Sequence, residues 1–507
     1  MNFDWIKTRA IFEEEKSAII DPAKGTEWTY QQLNIRAENL ANHLREQGTE
    51  RGDVIGIFAP NDVAILDVLF ASIKSGTVFL PINWRLNPEE IATVVEDSGV
   101  TKIFYETKHL SSLTKIDESL LYMDINAQEY NDIVNPSHHN RFDSVELQGD
   151  DLAALMYTSG TTGTPKGVMF TFESFIHNNI TVNHTYPVYP TDITIVSLPM
   201  FHVFGFNDLT LPVLFNGATL VLQRYFNAEE LVDLMDQYKP NYILLIPTMY
   251  YALLIAQNFK PEVFSNARFL IQGGSAPLPA VQAKFKSMGL NIINGYGLTE
   301  APLVSVNPIN NAIVKPKSIG HPAIFTDIRI FDENFNEIET GGIGELAVRG
   351  KNVTPGYWNK PEATAESFHN DFFLTGDLAK VDEDGDIFIV DRKKEMIITG
   401  GENVLPSEVE AILSEHPLVA QCVVVGFTSP KYGESVSAAV VLTEEDDNFE
   451  EKLDKFAREK LGGYKVPRMY LSINHMPLNS TSKPDKLALQ QRMNEKAEKL
   501  HQGDELA

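Results

Sequence analysis

A short segment at residues 157–168 carries the densest set of groups that could bind an anion. It contains three glycines, a run of hydroxyl side chains and Lys166, and it follows an apolar stretch at 153–157 that predicts a buried strand. Glycine lets backbone N–H groups approach a phosphate, hydroxyls donate to phosphoryl oxygens, and lysine adds a mobile charge. The segment is not a Walker A loop, because Pro165 precedes Lys166 and Gly167 follows it. It is predicted to bind an anion such as a phosphoryl group.

This segment resembles the phosphate-binding loop of the adenylate-forming superfamily, which includes acyl- and aryl-CoA synthetases, the adenylation domains of peptide synthetases and firefly-type luciferases. Further strings follow in the order that the family shows, and the resemblance extends from about residue 25 to residue 490. They lie at residues 199–205, 273–277, 294–300, 344–350, 375–378, 391–395, 400–403 and 464–467. One such string is weak evidence, whereas the ordered series is a specific signal. On these residues the chain is identified as a member of the superfamily.

The resemblance implies a reaction that joins a carboxylic acid to a thiol. A carboxylate is a poor electrophile, so it must first be activated, and attack on the α-phosphorus of ATP gives an acyl-adenylate and pyrophosphate. The transition state places negative charge on phosphoryl oxygens, so positioned cations and donors are the main catalytic requirement. We therefore expect ATP and Mg²⁺ as cofactors and CoA as a co-substrate.

Five residues receive nucleotide-binding or metal-binding roles from the resemblance. Tyr296 would stack on adenine, Thr299 would contact a phosphoryl oxygen, and Glu300 would hold Mg²⁺, since a hard cation prefers carboxylate oxygen. Asp377 would bind the ribose, because a carboxylate accepts two hydroxyl donors well, and Arg392 would reach the ribose or a phosphate. The full set expected to bind ATP or CoA is Thr158, Ser159, Gly160, Thr161, Thr162, Gly163, Lys166, Gly274, Ser275, Ala276, Asn294, Gly295, Tyr296, Gly297, Asp377, Arg392, Lys394, Gly400 and Gly401.

Small residues at 274–276 would leave room for the other face of the planar adenine ring, and either Ser275 or Ala276 could touch it. Lys394 is assigned as the hinge between two domains, and the glycines at 400–401 would shape the channel for the thiol arm of CoA. His202 lies where acyl- and aryl-CoA synthetases have a histidine beside the acyl site. Amino-acid adenylating domains usually carry Asp there, so amino acids are disfavoured as substrates.

Lys483 is the strongest candidate for a catalytic residue, together with His202, Thr299 and Glu300. Its segment resembles the C-terminal motif whose lysine reaches the α-phosphate and the substrate carboxylate. The family usually has Gly at the position of Ser482 and often Arg at the position of Leu478. Those departures keep Lys486 as a lesser candidate.

The acyl pocket is expected to be apolar, which suits a medium- or long-chain fatty acid best. Aryl acids of the benzoate or succinylbenzoate type are the next candidates. Acyl transfer to a carrier protein, a luciferase-like oxidation and nucleotide binding without chemistry are the alternative functions. The expected walls of the pocket are Phe201, Phe204, Ile246, Met249, Gly273 and Leu303.

Composition excludes several other classes of protein. The 507 residues are 43% hydrophobic and 22% charged, which are globular values, and the net charge is −27. So acidic a surface disfavours nucleic acid and anionic membranes as partners. The single cysteine, Cys422, excludes an internal disulfide, and we expect a cytoplasmic protein without an integral membrane segment. Its partners are then small molecules (a carboxylic acid, ATP and CoA), and a homodimer is one of the states that the sequence allows.

The elements that position these residues are predicted to form an α/β fold with two domains. Strands alternate with helical periodicity up to about residue 320, which favours parallel sheets covered by helices, and short alternating strands with turns follow. The resemblance implies a large N-terminal domain of layered α/β sheets plus a distorted β-barrel at 1–391. A small mobile α+β lid carrying Lys483 would follow at 392–507. The last fifteen residues are expected to be a frayed tail.

Overall fold

A computed structural model of the protein describes residues 3–158, 165–429, 431–479 and 483–504. The described helices are α1 Trp5–Phe12, α2 Tyr30–Glu46, α3 Val63–Ser75, α4 Pro88–Ser98, α5 Gln128–Ile133, α6 Phe172–Thr185, α7 Val203–Gly205, α8 Leu211–Phe215, α9 Ala228–Tyr238, α10 Pro247–Ile255, α11 Pro279–Ser287, α12 Ile309–Val314, α13 Pro361–Glu366, α14 Pro406–Leu413, α15 Phe449–Lys460 and α16 Lys486–Asp504. A π-helical turn at Phe206–Thr210 and 3-10 turns at Thr107–Ser112, Glu118–Leu120, Pro261–Phe264 and Lys393–Glu395 complete the helical segments.

The described strands are β1 Ser17–Asp21, β2 Thr26–Thr29, β3 Val54–Phe58, β4 Val78–Pro81, β5 Val100–Tyr105, β6 Leu121–Asp124, β7 Leu152–Thr158, β8 Lys166–Thr171, β9 Ile193–Val196, β10 Thr219–Leu222, β11 Tyr242–Leu245, β12 Phe269–Gln272, β13 Ile292–Leu298, β14 Ala301–Val306, β15 His321–Pro322, β16 Asp327–Phe331, β17 Ile343–Arg349, β18 Phe368–His369, β19 Phe372–Val381, β20 Ile387–Arg392, β21 Ile397–Thr399, β22 Glu402–Val404, β23 Val419–Ser429, β24 Gly433–Leu442 and β25 Met469–Ser472.

Local sequence signals set the ends of the first long helices. Thr29 caps α2 by accepting a hydrogen bond from the Gln32 amide, and the Gln32 side chain accepts in return from the Thr29 amide, which forms a capping box. Asp62 caps α3 by accepting a hydrogen bond from the Ala64 amide at 3.1 Å, and α3 ends at Gly76, whose φ of 72° favours glycine. α2 followed by β3 agrees with the predicted alternation of helices and strands in this part of the chain.

Two sheets of mainly parallel strands make up most of the N-terminal part. The six-stranded sheet has the order β6-β5-β3-β4-β7-β8, and its strands pair in parallel except at the β7/β8 hairpin. The nine-stranded sheet has the order β15-β14-β13-β12-β11-β9-β10-β1-β2, with parallel pairing from β1 through β13 along the sheet. The alternating strands and helices of the sequence predicted this arrangement, and the structure confirms it.

The chain divides into two compact units. The first comprises residues 1–329, 347–374 and 385–387, and the second comprises residues 330–346, 375–384 and 388–507. The β-rich region predicted after about residue 320 contains a five-stranded sheet with the order β16-β17-β19-β18, in which β20 pairs with β19. The continuous part of the second unit begins close to the predicted junction of 391 and 392, and that junction stays a prediction.

The second unit is built on a five-stranded sheet that is covered by helices on both faces. Its order is β22-β21-β24-β23, with β25 beside β24. Alternate residues of β23 point to opposite faces: Val424 packs with α14 and α15, whereas Val423 and Val425 pack with α16. The prediction of a frayed tail is wrong for most of its length, because α16 continues to Asp504. Leu489, Met493 and Ala497, spaced one helical turn apart, bury an apolar stripe.

No helix among the described residues combines the length and the apolar character that crossing a bilayer would require.

A buried ionic network ties together three helices of the first unit. Arg36 on α2 donates through Nε to Asp67 on α3 at 2.9 Å, and the hydroxyl of Tyr130 on α5 donates to the same carboxylate at 2.8 Å. Asp67 is fully buried, and both partners are nearly so. A buried charge requires such partners, because removing one of them leaves the other desolvated and unpaired.

We predict that Asp67→Ala lowers the free energy of unfolding of the first unit by about 3–5 kcal/mol, because it leaves the Arg36 charge buried without a counterion. The four tryptophans, Trp5, Trp28, Trp84 and Trp358, all lie in that unit, so a urea titration followed by tryptophan fluorescence measures its unfolding.

Asp143→Ala is the matched control, because Asp143 pairs with Arg141 at 3.4 Å on the surface and both side chains are largely exposed. An equal shift for both variants would show that the buried network does not stabilise the unit.

Candidate active site

The predicted phosphate-binding segment connects the two strands of a hairpin in the first unit. Thr158 ends β7, Lys166 begins β8, and the two residues pair directly in the antiparallel ladder. The ammonium of Lys166 lies 4.9 Å from the centre of the Tyr357 ring, a cation–π contact. The other residues predicted in this loop, Ser159, Gly160, Thr161, Thr162 and Gly163, lie outside the described residues.

A second hairpin, β13/β14, presents the predicted adenine and metal residues. Its strands pair Gly295 with Val306 and Tyr296 with Ser305, and a bulge follows before Leu298 pairs with Ala301. A Cβ on Gly297 would lie 1.5 Å from the Pro302 carbonyl oxygen, so only glycine fits at this position. Thr299 and Glu300 occupy the turn, where both side chains are half-buried.

Glu300 is held from the segment that follows β17. The Glu300 carbonyl accepts a hydrogen bond from the Thr354 amide at 2.7 Å, and the Tyr357 hydroxyl donates to Glu300 Oε1 at 2.8 Å. Burial raises the pKa of the Tyr357 hydroxyl, and the nearby Glu300 carboxylate raises it further. Tyr357 therefore stays a donor and orients the carboxylate, while its ring contacts Lys166.

The expected walls of the acyl pocket meet around two glycines. A Cβ on Gly273 would lie 2.9 Å from both the Phe204 ring and the Gly295 carbonyl oxygen, so the aromatic ring packs directly on the glycine backbone. Gly274 has a φ of 76°, and its Cβ position lies 3.5 Å from Ile246. Of the other expected wall residues, Phe201, Met249 and Leu303 are buried.

The three residues Gly274, Ser275 and Ala276 lie on the surface of the first unit, where a ligand could reach them. Asn294 is different, because its side chain is fully engaged within the protein. Its Oδ1 accepts from Gln272 at 2.8 Å, and its Nδ2 donates to the carbonyl oxygens of Pro316 and Ser318. The visible role of Asn294 is to fix the start of the hairpin, and its role in binding a nucleotide stays a prediction.

The second unit brings Asp377, Arg392 and Lys483 together. Asp377 is 4% exposed, and its Oδ1 lies 2.7 Å from Arg392 Nε. Two hydrogen bonds connect Lys483 with Asn479: the Lys483 amide donates to Asn479 Oδ1, and the Asn479 amide donates to the Lys483 carbonyl oxygen. The residue is exposed, yet surrounding protein atoms desolvate its ammonium and lower its pKa. Arg392 adds to the lowering, whereas the charge of Asp377 opposes it.

The predicted hinge and thiol-channel residues lie on short connections of the second unit. Lys394 is in the 3-10 turn Lys393–Glu395 and is exposed. Gly400 and Gly401 form the two-residue turn between β21 and β22, with φ values of 60° and 89°. Two successive positive φ values require glycine or a similarly permissive residue, which accounts for the pair.

Two family comparisons agree with this geometry. Residues 7–358 match the AMP-binding enzyme family, and residues 408–483 match the AMP-binding enzyme C-terminal domain. The chain belongs to the AMP-binding enzyme family. It is an adenylate-forming enzyme, an AMP-forming acid–thiol ligase, as the ordered motifs predicted.

The AMP-binding enzyme is similar to curated ligases that act on different acids. It is 35% identical to a feruloyl-CoA synthase of an Amycolatopsis species over 467 residues, covering 90% of this chain and 92% of that one. It is 30% identical to a long-chain fatty acid–CoA ligase of Mycobacterium tuberculosis over 501 residues, covering 97% and 98%. The o-succinylbenzoate CoA synthetase of Bacillus subtilis, solved with its acyl-adenylate intermediate, superposes with a TM-score of 0.85 at 26% identity, covering 96% of this chain and 98% of that one.

Two contacting residues of this AMP-binding enzyme were missed at the sequence level. The sequence motifs assign no role to Tyr357, which orients Glu300, because no spacing rule links residues that are 57 positions apart. Glu345 lay inside a recognised motif, but its part was not assigned. Its carboxylate accepts from the Gly376 amide at 3.1 Å and pairs with the Lys393 ammonium at 2.7 Å. It therefore fixes the backbone next to Asp377 and the side chain next to Arg392.

The segment after His202 in the AMP-binding enzyme continues into the π-helical turn Phe206–Thr210. Such turns are rare in proteins, and those that occur often lie at functional sites. This turn buries Asp208, whose Oδ1 accepts a long hydrogen bond of 3.4 Å from the Asn178 side-chain amide. Burial raises the pKa of Asp208 to about 7, although the Asn178 amide opposes the shift. The phenol side chains of Tyr186 and Tyr242 also lie near Asp208.

We predict that Asp208 makes the enzyme less stable as the pH rises from about 4 to about 7. The folded state retains the Asp208 proton over this range whereas the unfolded state releases it, so the free energy of unfolding falls by about 1.4 kcal/mol per pH unit. Asp208→Asn should remove this loss, measured by urea unfolding at pH 5 and pH 7.5. Equal pH profiles for the Asp208→Asn variant and the unchanged enzyme would contradict the prediction.

Proposed function

We propose that the enzyme activates a carboxylic acid with ATP to give an acyl-adenylate and pyrophosphate, and then transfers the acyl group to CoA, releasing AMP. The observation that carries the proposal is the grouping of Asp377, Arg392 and Lys483 in the second unit. A ribose-binding carboxylate beside a desolvated ammonium suits an α-phosphate and the acid that attacks it. The similarity to named CoA ligases supports CoA as the acceptor.

Each half of the reaction requires groups that the chain supplies. The carboxylate of the acid attacks the α-phosphorus, the bond to pyrophosphate breaks, and Lys483 and Lys166 would stabilise the negative charge on the phosphoryl oxygens. The CoA thiol then attacks the acyl carbon and AMP leaves with the electron pair of the broken bond. His202, beside Phe201, would border the acyl carbon, and the glycine turn at 400–401 would allow the thiol arm close approach.

The residues present fit Mg²⁺ at Glu300. Mg²⁺ in phosphoryl-transfer sites is commonly bound by one or two carboxylates together with substrate phosphates. Glu300 is half-buried and is oriented through Oε1 by Tyr357, so its carboxylate is preorganised for such a role. Bound there, Mg²⁺ would neutralise charge on the phosphates.

The apolar walls Phe201, Met249 and Leu303 support an acid with an apolar body. A medium- or long-chain fatty acid and an aryl acid both meet this requirement, and the related enzymes include both kinds. Fatty acid metabolism therefore stays a prediction, as do transfer to a carrier protein, the hinge at Lys394 and the cytoplasmic location.

The first test is a mass-spectrometric screen. The enzyme is incubated with ATP, Mg²⁺, CoA and a panel of fatty, aryl and amino acids, and AMP and acyl-CoA are followed. Thioester formation from an acid supports the proposal. AMP or adenylate without thioester would indicate that the acceptor is a carrier protein and not CoA. The absence of AMP with every acid would overturn the proposed reaction.

We predict that Lys483→Ala slows adenylate formation by about 10²–10³-fold, because one preorganised cation is lost from the charged transition state. Pyrophosphate exchange measures this step, whereas the reaction of chemically prepared acyl-adenylate with CoA measures the second step, which should be affected much less.

Lys486→Ala is the control and also tests the lesser candidate. Lys486 pairs with Glu395 at 2.6 Å, so its substitution is expected to loosen the second unit without removing the catalytic charge. A near-normal rate of adenylate formation in Lys483→Ala, together with a large loss of that rate in Lys486→Ala, would show that Lys486 is the catalytic lysine.

A further inference from the structure

A set of polar side chains is buried in the first unit beside the segment that follows His202. We call Asn178, Asn207, Asp208, Tyr186 and Tyr242 the polar cluster. Asn178 on α6 donates to the Asn207 carbonyl oxygen at 2.8 Å, and the Tyr242 hydroxyl donates to the Asp208 carbonyl oxygen at 3.4 Å. The rings of Tyr186 and Tyr242 lie 6.2 Å apart, and every member is at most 4% exposed.

Several polar atoms of this cluster lack hydrogen-bond partners within the described part of the chain. They are Asn178 Oδ1, both side-chain polar atoms of Asn207, and the hydroxyl oxygen of Tyr186. Buried polar groups are nearly always hydrogen-bonded, because leaving one unsatisfied costs its full desolvation. A group of such atoms in one place therefore calls for a partner outside the folded chain.

Other buried tyrosines of the same unit show that the fold can satisfy a phenol. The hydroxyl of Tyr250 donates to the Ile271 carbonyl oxygen at 3.1 Å, and that of Tyr130 donates to Asp67 at 2.8 Å. Tyr242, within the cluster, also has an acceptor. Tyr186 differs from these three, because its hydroxyl has no hydrogen-bond partner within the described part of the chain.

The polar cluster lies against the expected acyl pocket. The Tyr186 hydroxyl oxygen is 3.5 Å from the position of a Cβ on Gly295, which directly precedes the predicted adenine-stacking Tyr296. Gly295 in turn contacts Gly273, since its carbonyl oxygen lies 2.9 Å from the Gly273 Cβ position. On the other side, the Phe206 amide donates to the His202 carbonyl oxygen at 2.9 Å, so the turn carrying Asn207 continues from the histidine motif.

We infer that the polar cluster is a specificity subsite that binds a neutral hydroxyl or carbonyl oxygen on the acyl part of the substrate, away from the reacting carboxylate. The substrate is then an oxygenated acid, such as a hydroxylated aryl acid, and not an unsubstituted fatty acid. This inference rests on the proposed function. A site built to hydrogen-bond a substrate oxygen rejects the analogue without it, because its own polar groups are left unpaired.

The chemistry of the cluster also disfavours a second carboxylate in this subsite. The amide of Asn207 and the phenol of Tyr186 can both donate and accept, which suits a neutral oxygen. The cluster contains a carboxyl, Asp208, and none of its members is a lysine or an arginine. An anionic group of the substrate would be buried there without a counterion.

The test compares matched acids. The rate constant kcat/KM for AMP formation is measured with 3-phenylpropenoic acid and its 4-hydroxy derivative, and with octanoic, 8-hydroxyoctanoic and octanedioic acids. We expect at least one hydroxylated acid to be preferred over its unsubstituted partner by about 10-fold or more, and the diacid to be poor. Tyr186→Phe and Asn207→Leu should each reduce that preference by about 10-fold. Equal rates for the partners, or an unchanged preference in both variants, would overturn the inference.

Tyr250→Phe is the matched control, because it removes a buried hydroxyl that already has a partner. It should lower the melting temperature of the enzyme without changing the preference among acids. Tyr186→Phe should keep or raise the melting temperature while the preference falls, which a purely structural hydroxyl would not do. A melting temperature lowered as much as in Tyr250→Phe would show that the Tyr186 hydroxyl is already satisfied, and would count against the subsite.

Failure of the proposed function is distinguishable from failure of the subsite. If no acid yields AMP, the proposed reaction fails, and the subsite is then tested by binding alone. The hydroxylated and unsubstituted acids are titrated into the unchanged enzyme and into Tyr186→Phe, and heat release is recorded. A hydroxyl-dependent gain in affinity that disappears in the variant supports the subsite, and its absence overturns it.

Discussion

The candidate active site of the first unit depends on a change of pairing within a single strand. β13 begins in parallel register with β12, at Ile292 to Asn294, and from Gly295 it pairs antiparallel with β14. The change is possible because Gly297 leaves room for the Pro302 carbonyl oxygen, which lies where a Cβ would be. A parallel sheet thus ends in a hairpin, and the turn of that hairpin carries Thr299 and Glu300 outside the carboxyl end of the sheet, where open α/β sheets bind ligands.

Anion binding in this protein works against the overall charge of −27, so local organisation has to supply the attraction. In the first unit, Tyr357 connects two of the candidate site residues, because its hydroxyl donates to Glu300 and its ring contacts Lys166. In the second unit, Glu345 fixes the backbone at Gly376 and the side chain of Lys393, next to the Asp377–Arg392 pair. Both residues act by positioning others, which is typical of residues that surround a site preorganised for charge.

Stability and specificity oppose each other in the polar cluster. Elsewhere in the first unit, the buried side chains of Arg36, Asp67 and Tyr130 hydrogen-bond to one another, and these bonds connect α2, α3 and α5. Around Asn207 and Tyr186 the described chain leaves hydrogen-bonding atoms unpaired beside a carboxyl with a raised pKa. Functional sites commonly carry local destabilisation of this kind, which the remainder of the core offsets.

The sequence by itself determined the family and the α/β alternation, because the family depends on short ordered strings such as the glycines and hydroxyls at 157–168, and the alternation depends on local hydrophobic periodicity. It also named the candidate site residues, whose roles stay predictions. It misjudged residues 493–504, because the apolar stripe of Leu489, Met493 and Ala497 is sparse among charged residues and becomes meaningful only against β23. Tertiary structure alone decided that Tyr357 meets Glu300 and that Tyr186 lies beside Gly295. Those pairs are far apart in the chain, and their contact depends on how the sheets bring distant segments together, which no local pattern encodes.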